Sequence, residues 1–96
     1  MAFTHVVTFA WRDDEVDAVA VAAALTELAS RLPGVRSYLC GPDAGFTANT
    51  ADFAVVGAFA DRESFAAYRD HPEHQRILSE MILPHAASRT VVQIED

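Results

Sequence analysis

The order strand, helix, strand, strand, broken helix, strand predicts an α+β domain, ferredoxin-like βαββαβ, with a four-stranded antiparallel sheet and both helical segments on one side. Three observations predict it. Four stretches rich in β-branched and aromatic residues are spaced as strands. Two stretches between them carry apolar residues at intervals of three and four. Pro33-Gly34, Gly41-Pro42 and Pro84 punctuate the joints.

FTHVVTFAW (3 to 11) is the first strand. Phe3, His5, Val7, Phe9 and Trp11 face one way; Thr4, Val6, Thr8 and Ala10 face the other. Asp13 or Asp14 is placed to cap the next helix, which runs to about Leu32. Val21, Leu25, Leu28 and Leu32 are its apolar stripe. VRSYLCG (35 to 41) reads as the second strand. GPDAGFTANTA is a polar, glycine-bearing connection, of the kind that borders binding sites.

DFAVVGAF (52 to 59) is the third strand, with Phe53, Val55, Gly57 and Phe59 on one face. Gly57 leaves space above the sheet for a bulge or a close ligand. Asp61 caps a helix carrying Phe65 and Tyr68. His71-Pro72 breaks it near Asp70, because proline disfavours helical geometry in the residue before it and suits a first helical position. Ile77, Leu78, Met81 and Ile82 form the core face of the second piece, and Pro84 stops it. His85 follows at the helix end and reads as surface. SRTVVQIE (88 to 95) is the last strand.

Strands one and three are apolar on both faces, so the sheet side away from the helices needs a cover. A second copy of the sheet supplies one, and a homodimer through the sheet faces is the expectation. Side-chain volume assigns the faces. Thr4, Thr8 and Ala10 fit under helices; Phe9, Trp11, Phe53, Val55 and Phe59 fit the wider space between facing sheets. The expected pocket is therefore lined by Val7, Phe9, Phe53, Val55, Phe59 and His71 and takes a small hydrophobic or aromatic ligand.

Composition narrows the function. The chain has 96 residues and reads as one domain, 1-96. It carries 7 basic and 14 acidic residues, a net charge of −7, and every basic side chain is arginine. With no basic patch, it is read as binding neither nucleic acid nor an anionic membrane surface. No apolar run reaches the length of a bilayer span, and the opening residues lead to the expectation of no signal peptide. A single cysteine, Cys40, fits a reducing cytoplasm and a structural role. A Gly-rich phosphate loop, a CxxC pair and a nucleophile elbow are all missing, so no cofactor is expected.

Chemistry concentrates in YRDHPEHQ, residues 68 to 75. Imidazole suits proton transfer near neutral pH, and a phenol can donate to a carbonyl oxygen that gains charge. Together they are suited to removing a proton alpha to a carbonyl and holding the enolate. The competing reading is packing and capping by the His-Pro pair. A metal bound by His71 and His74, with His5 or Asp52 as third ligand, is disfavoured because Pro72 disturbs the helical spacing.

HVVTFAW (His5 to Trp11), LPGV (Leu32 to Val35), GAF (Gly57 to Phe59) and YRDHPEHQ resemble, in the same order, the stress-response dimeric α+β barrel (Dabb) domain family. The resemblance implies a sheet-paired barrel. One plant member is a polyketide cyclase that closes a linear polyketide thioester by an aldol reaction without metal or organic cofactor. By this similarity Tyr68 and His74 correspond to its catalytic pair, His5 to its strand-one histidine and His71 to its His-Pro histidine. It carries a pocket histidine where this chain has Phe53, and a tyrosine where this chain has Leu25. Three functions follow as expectations: a cofactor-free cyclase-like enzyme using His74, Tyr68 and His5; a non-catalytic small-molecule-binding or stress-associated assembly; and, by fold analogy, a cofactor-independent oxygenase on an aromatic polyketide.

Overall fold

Alternating bulky residues in Phe3–Trp11 form β1, the strand around which the computed structural model, describing residues 2–96, is arranged. β1 lies between β3 (Phe53–Phe59) and β4 (Ala86–Glu95), and β2 (Val35–Pro42) closes the other edge, giving the order β2-β3-β1-β4. Every pairing is antiparallel. In the ladder Val7 faces Val55 on one side and Val91 on the other, so aligned residues of three strands share a face.

That register decides which face meets the helices, and it reverses the assignment made from volume. Phe3, Val7, Phe9, Phe53, Val55 and Phe59 are buried in one core with Val21, Leu25 and Leu28 of α1 (Ala18–Ser30). Phe65 and Tyr68 of α2 (Arg62–Arg69) join them, with Ile77 of α3 (Pro72–Ile77) and Ile82. The open face carries the other set: Val6, Val56 and Val92 in register, flanked by Leu39, Thr4 and Ile94. The physical reason lies in α1. It buries only Val21, Leu25, Leu28 and Ala29, too little apolar volume to fill the layer alone, and a close-packed layer takes its remaining bulk from the strands. The aromatics therefore belong under the helices, and the small and β-branched residues pave a flatter outer face.

Local boundaries follow the chemistry of caps. Asp17, not Asp13 or Asp14, caps α1 by accepting from the Ala20 N–H at 3.0 Å. Asp13 instead accepts from the Glu15 N–H and pairs with His85 Nδ1 at 2.9 Å, which leaves His85 half-buried rather than at the surface. Asp61 caps α2, and Asp70 ends it. His71 Nδ1 accepts from the Glu73 N–H at 3.0 Å and starts α3, so the break falls where Pro72 predicts. Beyond α3 the chain widens into a π turn (Leu78–Ile82) and tightens into a 3-10 turn (Leu83–His85) before β4. Ile77 and Ile82, five positions apart, are both buried across that wide turn.

Gly57 leaves no vacancy. A Cβ there would lie 3.0 Å from Phe59 Cε1 and 3.2 Å from Tyr38 Cδ1, so two rings fill its space. The loop between β2 and β3 is exposed throughout, pinched by the Asp43 N–H donating to the Asp52 carbonyl oxygen. Among the described residues no helix is long and apolar enough to cross a membrane.

Candidate functional site

Under α2 and α3, the helix-side face of the sheet opens into a cavity of about 200 Å³. The strands supply its floor: His5, Val7 and Phe9 from β1, Val55 from β3, and Arg89, Val91 and Gln93 from β4. Its wall is Leu25 from α1, Phe65, Tyr68 and Arg69 from α2, His74 from α3, and Leu78 and Ile82 from the π turn. The pocket thus belongs to one protomer's helix–sheet layer and does not lie between facing sheets. None of its lining residues comes from the 43–52 loop, contrary to the reading of that loop as a border.

The helix break creates the local geometry. When α2 stops at Arg69, its last carbonyl oxygens lose their intrahelical partners. The Arg69 carbonyl oxygen is then shared by two side chains of α3. His74 Nδ1–H donates to it at 3.0 Å, and Gln75 Nε2–H donates at 2.6 Å. A carbonyl cannot donate, so the bond fixes the His74 tautomer: Nδ1 holds the proton and Nε2 keeps its lone pair. His74 is 8% exposed. Burial lowers its pKa from the ordinary 6.5; the Arg69 bond opposes this, and the charge of His71 adds to the lowering. It is a neutral imidazole at pH 7.

The His74 ring lies 4.3 Å from the Tyr68 ring, centroid to centroid. Tyr68 is 2% exposed, and its hydroxyl is 2.6 Å from that of Tyr38. Burial pushes the Tyr68 phenol up to about 12, while the Tyr38 bond pulls it down. Burial raises the Tyr38 phenol further still, and so does its bond to Tyr68. The two hydroxyls share one hydrogen bond in which either can donate, and each keeps capacity for a further partner.

His5 sits opposite Gln93 in the ladder, and Gln93 Nε2–H donates to His5 Nδ1 at 3.2 Å. This sets the opposite tautomer, with the proton on Nε2. Burial lowers the His5 pKa first, then the neighbouring charges of His74 and Arg89.

The structure thus brings Tyr68, His74 and His5 to one cavity, together with Val7, Phe9 and Val55. Phe53 and Phe59 are buried in the core but are not among the lining residues, and His71 serves as a cap. Sequence reasoning missed Tyr38, Arg69, Arg89 and Gln93. A signal existed for Tyr38: it stands opposite Gly57, and a glycine in a strand interior makes room for an aromatic across the ladder. Cys40 packs against α1, its thiol 3.6 Å from the Ala22 carbonyl oxygen, and burial pushes that thiol up, away from a nucleophilic thiolate. Among the described residues no group of three His, Cys, Asp or Glu is arranged to hold a metal ion.

The profile of the family described as Stress responsive A/B Barrel Domain matches residues 3–96. A dimeric ferredoxin-like protein of unknown function from Thermobifida fusca is 35% identical, with a TM-score of 0.88 over 100% of this chain and 92% of that one. SnoaB, a cofactor-independent oxygenase from Streptomyces nogalater solved in a mutant form, shares the fold at 12% identity and a TM-score of 0.79, covering 99% of this chain and 92% of that one. Hydroxynitrile lyase from Passiflora edulis does so at 16% identity and 0.78, covering 97% and 91%. Among curated protein sequences, none matches this chain.

Proposed function

We propose, from the premise that this chain belongs to the stress responsive A/B barrel domain family, that it is a cofactor-free, polyketide cyclase-like enzyme in which His74 and Tyr68 act as an acid–base pair on an activated carbonyl compound. One observation carries the reading: in the cavity, a buried histidine with Nδ1–H committed to the Arg69 carbonyl oxygen lies against a buried tyrosine, ring centroids 4.3 Å apart. His74 Nε2 takes the proton alpha to the carbonyl. The electrons of that C–H bond pass to the carbonyl oxygen, and the Tyr68 O–H donates to the enolate as its charge develops. In a ring closure the enolate carbon then attacks a second carbonyl of the same molecule, and the His74 imidazolium returns its proton to the alkoxide formed. His5 Nε2–H is a further donor for a carbonyl oxygen.

The test is proton–deuterium exchange at the alpha carbon of an acetoacetyl thioester in D2O, followed by NMR. His74→Ala lowers the exchange rate by about 10²- to 10⁴-fold, and Tyr68→Phe by about 10²-fold. The wild-type rate rises with pH through a pKa below 6.5, because the neutral imidazole is the base. Exchange no faster than in buffer, or undiminished in His74→Ala, overturns the reading.

Two other readings have support. The fold shared with the Streptomyces oxygenase favours cofactor-independent oxidation of an aromatic polyketide, which oxygen consumption would reveal. The bond already joining Tyr68 to Tyr38 favours binding without turnover, which ligand affinity surviving both substitutions would reveal. In each case the protein is read as a homodimer through its open sheet face. Leu39, Val92 and Ile94 are 74%, 53% and 54% exposed there, and the Thermobifida relative is dimeric. Sedimentation as a monomer at micromolar concentration would refute that assembly. The free Cys40 thiol supports a cytoplasmic setting, which detection in an extracellular fraction would refute.

A further inference from the structure

The charges around the cavity run against the charge of the whole molecule. The chain has a net charge of −7, yet no Asp or Glu lines the cavity, and its ionisable lining residues are Arg69, Arg89, His5, His74 and Tyr68. Arginine is scarce, and most of it is already paired. Arg12, Arg31, Arg62, Arg69 and Arg76 lie within 4.0 Å of carboxylates. Among the described residues Arg36 and Arg89 make no ion pair, and of these two only Arg89 lines the cavity. Asp70 holds Arg69 at 2.8 Å and 3.0 Å, so Arg69 is compensated and Arg89 is the uncompensated cation of the site.

The placement is directional. Arg89 lies opposite Phe9 in the ladder, and Gln93 lies opposite His5. Both face the cavity from the exposed edge strand, while Val7, Leu25, Val55 and Ile82 line its apolar part. We infer that the cavity takes a small amphiphilic carboxylate, with an aromatic ring or short acyl chain among Val7, Leu25 and Val55 and the carboxylate on the Arg89 guanidinium. The volume of about 200 Å³ falls below the range of roughly 300–1,000 Å³ that holds drug-sized ligands, so the body is one ring or a short chain. Guanidinium matches a carboxylate with two parallel N–H bonds, which a carboxamide cannot reproduce. The inference deepens the acid–base reading by naming the substrate class of the same site: a carbonyl compound that carries a carboxylate.

The experiment is a proton–nitrogen NMR titration with matched pairs that differ in charge and scarcely in shape, benzoate against benzamide and hexanoate against hexanamide. The acids shift the amides of His5, Val91 and Gln93 and bind about tenfold or more tightly than the amides, the gain from one charge-assisted bond. Arg89→Gln brings the ratio to about one, and added salt lowers it in wild type only. Arg36→Gln, which removes an equal charge away from the cavity, leaves the ratio intact. Equal affinity within each pair, a ratio that survives Arg89→Gln, or no binding of either acid in the cavity overturns the inference. His74→Ala separates it from the proposed reaction. Arg89-dependent acid binding with no alpha-proton exchange sinks the reaction alone. Exchange that needs His74, with no preference for the acids, sinks the carboxylate alone.

Discussion

The two faces of the sheet are built from one set of strands and could hardly differ more. Toward the helices, Phe9, Phe53 and Phe59 are 2%, 1% and 0% exposed, and the layer holds every titratable group of the cavity. Toward the outside, Val6, Val56 and Val92 line up across three strands, with Val56 and Val92 41% and 53% exposed. Large side chains fill the helix-side layer because the buried stripe of α1, Val21, Leu25, Leu28 and Ala29, cannot fill it alone. Small and β-branched ones leave the other face smooth, which is the shape that stacks on a second sheet. The difference separates two tasks. One face supplies the fold of the protomer and encloses the cavity; the other is available for association, and neither needs the other's residues.

The widest gap between the faces is one of stability. Phe59→Ala removes a fully buried ring that packs on Phe65 and Tyr68 at 5.4 and 5.2 Å between centroids. It should cost about 3–5 kcal/mol in urea unfolding, a large share of what a small domain possesses. Val56→Ala, at the residue before Gly57 but on the outer face, should cost well under half of that when measured in dilute protein. Equal losses at the two positions would erase the distinction between the faces.

The next contrast is pH. Burial lowers the pKa of His74 and of His5, and both lie on the helix side. The sign follows from linkage. Above 6.5, the ordinary value, both states are neutral and stability is at its full value. As pH falls below 6.5 the unfolded chain takes up protons that the folded one refuses, so stability drops until the lowered folded pKa values are passed. Each proton contributes a slope no steeper than about 1.4 kcal/mol per pH unit. The carboxylates add their own loss only further down. Asp70, held by Arg69, and Glu73, held by Arg76, have pKa values below the ordinary 3.8 and 4.5. Urea midpoints at pH 7.5 and 5.5 isolate the histidines, and the double change His5→Asn with His74→Asn should flatten the difference. An unchanged slope would mean that neither imidazole is held neutral by burial.

Much of this was legible in the sequence, and what was not has a physical cause. The strand periods, the helix break at His71-Pro72 and the capping residue Asp61 follow from local backbone chemistry, which acts over a few residues. Which face of a strand points inward is not local. Phe9 and Phe53 are compatible with either side, and packing against Val21, Leu25 and Leu28 of α1, distant in sequence, decides between them. His5, Tyr68 and His74 were singled out by resemblance, their convergence was not legible in the sequence, and the pocket was placed on the wrong side of the sheet. Arg89 and Gln93 escaped notice because β4 reads as an ordinary polar edge strand; their importance comes from pairing with Phe9 and His5 across the ladder. Asp13 looked like a cap because aspartate before a helix usually is one, but Asp17 stands nearer the first turn and took the role.

The smallest expected effect is also the closest comparison, since it concerns adjacent residues. Tyr38 points under the helices and Leu39 points out, one on each face of β2. Tyr38→Phe keeps the ring that fills the space over Gly57 and deletes only the hydroxyl that bonds to Tyr68. A single internal hydrogen bond is worth about 1 kcal/mol net, and the loss should appear at any protein concentration. It should also alter alpha-proton exchange, because the Tyr68 hydroxyl loses its hydrogen-bond partner. Leu39→Ser, at a position 74% exposed, should change dilute-protein stability by no more than about 0.5 kcal/mol. Its effect belongs to concentrated protein, where sedimentation should show weaker association and exchange should stay the same. If Leu39→Ser slowed exchange while leaving association untouched, the outer face would be coupled to the cavity, and the division of labour between the two sides of the sheet would be wrong.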